Sequence, residues 1–549
     1  MTLFLILILV FTIMITTIFL YNHIQKIKWK RMLSLSWAKE GQYSKKGDSI
    51  KSLKSNLEFE KDKAEFDSMI NEQTWNDLNL QKIFEKIDIS NSSLGAEYLY
   101  TKMHLLKFSI DEEFEDLKIY LKDNRADRLE LQYYFKKLGK KDNNAVNRII
   151  HEKGDYGLRN LLLYGFLGGI PILSMLLILF LPVIGGLLLV FSMVFNIILS
   201  LINKYMMELE MEKMSYIIQM LYIGKKISKI HFPNQKELVD CVKNFSAVEF
   251  FSFSYFPNAD VSEVAIFFEY LNYIFLLPLI SCSFITNRLK KYRTECQKIY
   301  TLLGKLEAAI SVTNFQEIVS YFCIPIFEER KGVIVNDMFH PLLNEPISNS
   351  IEFIDNTVLS GDNASGKSTF LRTLAINIVL AESINIALAR KFELAYGNVM
   401  TTINIQDNID SGDSYFMMES KAIKTIIKEA EKKRRSYIFL DELFRGTNAL
   451  ERISAGLGIM KWLGKQDCLY MISTHDIELV ESSVGWNENY HFMSDWVGNQ
   501  IIYNYKIMKG KAQTSNAIKI LQILDYPQEI IESAINIANN YKINQKWII

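Results

Sequence analysis

Nine consecutive residues, Gly361-Asp362-Asn363-Ala364-Ser365-Gly366-Lys367-Ser368-Thr369, satisfy the pattern G-x-x-x-x-G-K-S/T. Glycines in such a loop let backbone N–H groups turn inward around phosphates, and the helix that follows adds its positive N-terminal end. Lys367 has the length to reach the outer phosphates of a nucleoside triphosphate, and the Ser368 hydroxyl suits Mg²⁺. A second set of reactive groups stands at Asp441-Glu442. The aspartate can hold Mg²⁺ through water, and the glutamate can orient and polarise a water for in-line attack on a γ-phosphate. A third is His475, in Thr474-His475-Asp476, either a sensor of that phosphate or a structural or merely exposed imidazole.

These groups need strands and helices to hold them. Thr357-Val358-Leu359-Ser360 is short and β-prone, and Phe370 to Leu380 has helical spacing, so the phosphate loop is expected between a strand and a helix. Tyr437-Ile438-Phe439-Leu440 predicts an apolar strand ending at Asp441, and Cys468 to Ser473 predicts another ending at His475. All three tips then share the carboxyl edge of one sheet, where ligands bind in folds of this kind. Ser414 precedes Ile423, Ile426, Ile427 and Ala430 at helical spacing, which makes it a helix cap or an anion-binding helix end.

At 549 residues the chain is expected to hold several domains. Lys plus Arg and Asp plus Glu number 62 each, so net charge does not argue for or against a polyanionic partner. Local charge is more informative: Lys26 to Lys54 carries nine basic residues, a solvated linker or a surface for anionic lipid or nucleic acid. The five cysteines lack C-x-x-C or metal-ligand spacing, which fits a reducing compartment.

Leu3 to Tyr21 is uncharged and apolar, about 28 Å as a helix, and is expected to be an uncleaved membrane anchor. Lys26, Lys28, Lys30 and Arg31 follow it and predict that this flank is cytoplasmic. Asn160 to Asn203 is also uncharged and is broken by Pro182 and Gly185-Gly186, which predicts two further spans joined by a tight turn. Three crossings place everything after Lys204 in the cytoplasm. Tyr270 to Asn287 is a fourth apolar run, adjoined by Glu269 and interrupted by Pro278; it is expected to be buried core, with a re-entrant or spanning segment as the alternative. Long helices are predicted for Trp75 to Gly157 and Lys204 to Ser320, where Leu302, Leu306, Ala309 and Ile310 form a one-faced stripe.

The motif set resembles the ATPase domain of the MutS family of DNA mismatch-repair clamps. The family's T-G-P-N-M-G-G-K-S-T loop is matched by Ser360 to Thr369, its S-T-F-M-x-E segment by Ser414 to Glu419, its D-E-x-G-R-G-T segment by Asp441 to Thr447, and its A-T-H segment by Ser473-Thr474-His475. His340-Pro341 matches an H-P turn ahead of the first ATPase strands. Upstream, Ser92 to Tyr100 is similar to the opening of the family's helical core and Leu303 to Glu307 to its return; downstream, Tyr505 to Ser515 and the region around Tyr526-Pro527 resemble a dimerisation segment. Asp362, Ala364 and Ser365 replace family P, M and G, and Phe444 replaces a glycine. A counterpart of the family's mismatch-reading domain with its F-x-E wedge is not expected; Phe267-Phe268-Glu269 lies in an apolar stretch.

The resemblance implies ATP as the nucleotide, Mg²⁺ as cofactor, and a homodimer in which Ser414 of one subunit completes the site around the other's phosphate loop. Ile531, Ala534, Ile535 and Ala538 offer either a partner face or an intramolecular one. Inherited function would be ATP-dependent binding of mismatched DNA; the alternative is an ATP-driven membrane switch acting on a protein or lipid partner. The expected fold class is an α/β P-loop ATPase domain of ABC/MutS type following an all-α helical core with transmembrane helices. Its expected parts are an anchor at 1–21, a basic linker at 22–74, a helical core at 75–320 interrupted by a membrane hairpin at 160–203, an ATPase domain at 321–512 and a C-terminal dimerisation segment at 513–549, in a multi-pass cell-membrane protein.

Overall fold

The computed structural model describes residues 16, 20, 23–39, 48–141, 149–150, 160–206, 208–251, 263–329, 332–362, 364–403, 415–432, 434–497, 500–511, 521, 524 and 526–544. The chain forms two compact units. One comprises Met1–Glu65, Phe84–Lys102 and Asp111–Ile318; the other comprises Phe66–Ile83, Met103–Ile110 and Val319–Ile549.

The first unit is helical: α1 Ile50–Asp62, α2 Ser93–His104, α3 Glu112–Asp123, α4 Arg125–Leu138, α5 Leu161–Ile178, α6 Pro182–Met206, α7 Glu208–Ile227, α8 Gln235–Lys243, α9 Glu263–Ile274, α10 Leu277–Lys291 and α11 Arg293–Ile318. Residues 23–36 and 50–62 are helical where the sequence predicts a basic linker. Ser49 caps α1 by accepting from Ser52 N–H, and Asp111 caps α3 by accepting from Phe114 N–H, so each start is set by a short polar side chain. The stripe on α11 is a packing face: Leu306, Ala309 and Ile310 are buried and Leu302 is half-buried.

The two upstream stretches that resemble the MutS helical core meet one another. Gly304 of α11 passes so close to α2 that an added Cβ would lie 2.9 Å from the Leu94 carbonyl oxygen. Buried Glu307 accepts from the N–H groups of Asn91 (2.6 Å) and Ser92 (3.1 Å) and from the Ser92 hydroxyl, placing an acceptor where the N-terminus of α2 has spare donors. Burial pushes its carboxyl pKa up to about 8.

Helices α5 and α6, of 18 and 25 residues, are long and apolar enough to cross a membrane. Their side chains and the turn between them stand out from the fold: Leu162 is 89% exposed, Phe191 70% and Phe180 of the turn 82%. Two such helices occur among the described residues, where the sequence predicts three spans; of the expected anchor at 3–21, only Thr16 and Leu20 are described. In the segment expected to be buried core, Leu276, Leu279, Cys282 and Ile285 are buried, and the chain breaks at Phe275–Leu276 between α9 and α10, with Leu276 in the left-handed region at φ 54°. Pro278 falls in the first turn of α10, where its missing N–H costs nothing.

The second unit carries strands β1 Ser68–Met69, β2 Leu105–Leu106, β3 Ile326–Phe327, β4 Val333–Met338, β5 Asn349–Phe353, β6 Thr357–Ser360, β7 Lys391–Leu394, β8 Asn398–Thr402, β9 Ser436–Asp441, β10 Cys468–Thr474, β11 Glu488–Val497 and β12 Gln500–Lys509, with helices α12 Lys367–Ile384, α13 Tyr415–Ala430, α14 Ala449–Leu463, α15 Ile477–Ser482 and α16 Gln528–Asn544. The main sheet runs β12-β11-β6-β10-β9-β8. It is parallel from β11 to β8, with β12 added as an antiparallel edge. A four-stranded sheet runs β3-β7-β4-β5.

Buried on both faces, the central strands read as continuous apolar runs. On one face Ile438, Leu440, Tyr470 and Ile472 pack with Ile423, Ile426 and Ala430 of α13 and Met460 and Leu463 of α14. Toward the other face, Phe439 meets Phe353 of the small sheet at 6.0 Å between ring centroids. Helix α12 contacts β4, β8, β9 and β10. It is buried along almost its whole length, including the polar side chains of Thr373, Asn377, Glu382 and Ser383.

The edge strand β8 is covered by residues far upstream. The Thr401 N–H donates to Thr74 Oγ1 (3.2 Å), the Ile403 N–H donates to Asp77 Oδ2 (2.9 Å), and the Thr401 hydroxyl donates to the same carboxylate oxygen (2.7 Å). Asn71 starts the short helix Glu72–Asp77 by accepting from Thr74 N–H, which fixes both side chains over the strand.

Candidate functional site

The phosphate loop joins β6 to α12 as the sequence predicts. Gly361 and Gly366 have φ of 141° and 106°, the left-handed conformations that glycine tolerates. At Gly366 an added Cβ would also press on the Tyr505 ring at 3.1 Å. Ala364 takes φ 65°, an uncommon angle for a residue with a Cβ, and Asn363 lies outside the described residues. Lys367, buried, donates from Nζ to the Gly361 (2.6 Å) and Asp362 (2.8 Å) carbonyls, so its charge is folded back over its own loop. Burial lowers its pKa.

Two further strand tips, those of β9 and β10, converge there. In the first turn of α12, next to the exposed Thr369, the Ser368 hydroxyl donates to Asp441 Oδ2 at 2.7 Å. The Ser473 hydroxyl donates to Asp441 Oδ1. Parallel pairing of β9 and β10 sets Ser473 opposite Asp441, so register makes this contact. Glu442, at φ 51°, holds its carboxylate 3.4 Å from His475 Nδ1 and 2.9 Å from Arg445 Nε. The hydrogen bond from His475 lowers the Glu442 pKa, and the same contact raises that of His475. Arg445 also reaches Asp441 at 3.2 Å. Arg445 therefore bridges both carboxylates, and His475 pairs with Glu442.

A cavity of about 520 Å³ opens beside the loop. It is lined by Gly366, Lys367, Ser368 and Glu442 and, beyond them, by Met338, His340, Leu343, Ile347 and Tyr505. The buried Ser365 hydroxyl, in the middle of the loop, makes no hydrogen bond among the described residues. An unsatisfied donor inside an N–H-rich loop fits a phosphate ligand. One hydroxyl and one carboxylate at Ser368 and Asp441 fit Mg²⁺, a hard cation that takes oxygen ligands and shares substrate phosphates.

Behind this edge lies a contact that motif reading does not single out. Buried Glu419 of α13 accepts from the Phe444 N–H and holds the turn that follows Glu442. Phe444 itself has φ 57°, and its ring stands 5.6 Å from that of Phe416 on α13. Ser414, expected just before this helix, lies outside the described residues. On α16, Ile531 is buried and Ile535 partly exposed.

Residues 357–542 match the family model for MutS domain V, a P-loop ATPase-type domain. Curated relatives include the DNA mismatch repair protein MutS of Prochlorococcus marinus (strain MIT 9312), 28% identical over 279 residues that make up 48% of this chain and 30% of the relative. That of Thermotoga petrophila is 28% identical over 273 residues, 48% of this chain and 34% of the relative. A second Prochlorococcus marinus protein of that name (strain MIT 9301) is 30% identical over 278 residues, 48% of this chain and 30% of the relative. The chain thus spans about a third of the length of the relatives it matches. Over residues 357–542, and over about half of its own length by likeness to these relatives, the chain is similar to the MutS family.

Proposed function

We propose that the protein is a membrane-attached MutS-type ATPase that binds and hydrolyses ATP. The observation that carries this reading is the convergence of Lys367, Ser368, Asp441, Glu442 and His475 on one sheet edge beside a cavity of about 520 Å³. In this reading the N–H groups of Gly361 to Thr369 surround the phosphates, and Lys367 leaves its own carbonyls for the outer ones. Ser368 and Asp441 would hold Mg²⁺, which would supply positive charge against the phosphates. Glu442, kept ionised by its neighbours, orients the attacking water and takes its proton. His475, tethered to Glu442, faces the γ-phosphate position. Met338, Leu343 and Ile347 give the cavity an apolar end for the base.

The working unit in this reading is a homodimer, with Ser414 completing the partner's site. The relatives are named for DNA mismatch repair, and the inherited partner is DNA bearing a mismatch. Membrane attachment draws support from α5 and α6, together with the predicted anchor at 3–21, and puts the ATPase in the cytoplasm of a multi-pass protein. The exposed apolar hairpin favours a second reading, in which nucleotide turnover drives a switch on a protein or lipid partner without DNA. Titrating the full chain with homoduplex and mismatched DNA across a salt series separates the two. Stimulated turnover with a steep salt slope supports DNA, and a flat response supports the switch. Failure to bind labelled ATP in the presence of Mg²⁺ overturns both.

A further inference from the structure

We infer that α9 and α10 form a re-entrant hairpin that dips into the bilayer beside α5 and α6 and is latched there by Asn196. The inference rests on the membrane attachment proposed above. Helix α9 packs on α6 and α10 on α5, all within the helical unit.

Depth can be read along both membrane helices. At the end of α6, Lys204 reaches Glu269 (3.3 Å) and the Tyr273 hydroxyl (2.9 Å) of α9, a charged and aromatic cluster of the kind that sits at a membrane interface. Eight residues earlier, Asn196 donates to the Ile274 carbonyl at the end of α9. At 1.5 Å per residue that is about 12 Å inward. On α5 the tip of the hairpin meets Gly168, where an added Cβ would lie 2.4 Å from the Phe275 carbonyl oxygen. Gly168 is seven residues into α5, again about 10 Å from its start. Two independent helices thus place the Phe275–Leu276 turn at the same depth, well short of the far side. Helix α10 then returns along α5 and ends in Arg288, Lys290 and Lys291, charges that belong on the cytoplasmic side.

A turn at that depth needs its backbone satisfied, because hydrocarbon supplies no partners. Pro171 inside α5 lacks the N–H that would bond Leu167, and Ile274 ends its helix, so two carbonyls are left over. The single Asn196 amide donates to both, at 3.0 Å to Leu167 and 2.8 Å to Ile274. It is buried in an otherwise apolar helix, between Ser192 and Ser200 on the same face. Because the hairpin enters and leaves on one side, it preserves the cytoplasmic position of the ATPase, which a single extra crossing would reverse.

The test uses the full chain in mixed phosphatidylethanolamine–phosphatidylglycerol vesicles, with benzoylphenylalanine replacing Phe275, Phe191 or Ile119 in turn. Irradiation should yield lipid adducts at Phe275 and at Phe191 of α6, and none at Ile119, an exposed residue on α3. Adducts at Phe191 without Phe275 overturn the re-entrant hairpin and leave the membrane reading standing. Loss at Phe191 overturns both, and equal yields at Phe275 and Ile119 overturn the hairpin. In a second arm, Asn196→Leu should speed amide exchange across 274–282 at least tenfold while the middle of α6 stays protected; unchanged exchange overturns the latch.

Discussion

Replacing Glu419 with alanine should cripple turnover without weakening nucleotide binding. Glu419 is buried and accepts from the Phe444 N–H. The turn it holds contains two non-glycine residues in the left-handed region, Glu442 at φ 51° and Phe444 at φ 57°. Each such residue costs about 1–2 kcal/mol, so the turn stores about 2–4 kcal/mol. A hydrogen bond to a charged acceptor returns about 1.5–3 kcal/mol, nearly the same amount. Without Glu419, the Phe444 N–H is also left buried and unpaired, and a relaxed turn with Glu442 swung away becomes the favoured state. A bias of about 1.4–2.8 kcal/mol lowers the competent fraction, and with it kcat, about 10- to 100-fold. Glu419→Gln keeps a carbonyl acceptor and should lose less than about fivefold. Steady-state phosphate release measures kcat, and binding of a fluorescent ATP analogue measures affinity, which should change less than about threefold because the loop from Gly361 to Thr369 is untouched. Wild-type turnover in Glu419→Ala, or an equal loss of affinity and turnover, would refute this coupling of α13 to the hydrolytic edge.

Glu442→Gln should retain ATP binding and lose at least about a hundredfold in single-turnover hydrolysis; full turnover rejects Glu442 as the water-orienting group. The Glu442–His475 pair sets a pH window. The Glu442 pKa is depressed and that of His475 raised, so the attraction is lost as pH falls through the first or rises through the second. The pH–rate profile should therefore show an alkaline limb that disappears in His475→Gln. Glu307 acts in the opposite sense to a paired carboxylate. With a folded pKa of about 8, it stays protonated where the unfolded chain would release the proton, so stability falls as pH rises from about 4.5 to about 8. Glu307→Gln, whose amide keeps an acceptor for Asn91 and Ser92, should flatten that slope in thermal melts, and an unchanged slope excludes Glu307 as its source.

The placement of the candidate site was legible where it is local. A phosphate loop, an apolar strand ending in Asp441-Glu442 and another ending before His475 each carry their context within a dozen residues, and parallel pairing does the rest. Side-chain partners across that edge were not legible. That Arg445 clamps both acids depends on a turn with two positive φ angles that no pattern announces. Glu419 was visible as the last letter of a motif, but its partner is a backbone N–H 25 residues on. Hydropathy marked 270–287 as apolar without distinguishing core from membrane, because both bury the same side chains; the difference lies in Asn196 and the carbonyls it reaches. The assignment of Phe66–Ile83 and Met103–Ile110 to the second unit left no trace in periodicity, since it is made by single polar contacts such as Asp77 with Ile403.

That last contact has a practical corollary. Thr74 and Asp77 occupy the amides of Thr401 and Ile403 along the outer margin of β8, so a fragment cut to begin at Val319 would leave those amides bare along an uncharged strand. Naked margins of that sort recruit further strands from neighbouring molecules. The unit that carries the phosphate loop is thus not separable by simple truncation: a soluble version must carry the Phe66–Ile83 patch along, grafted or co-expressed, as a built-in guard against self-association.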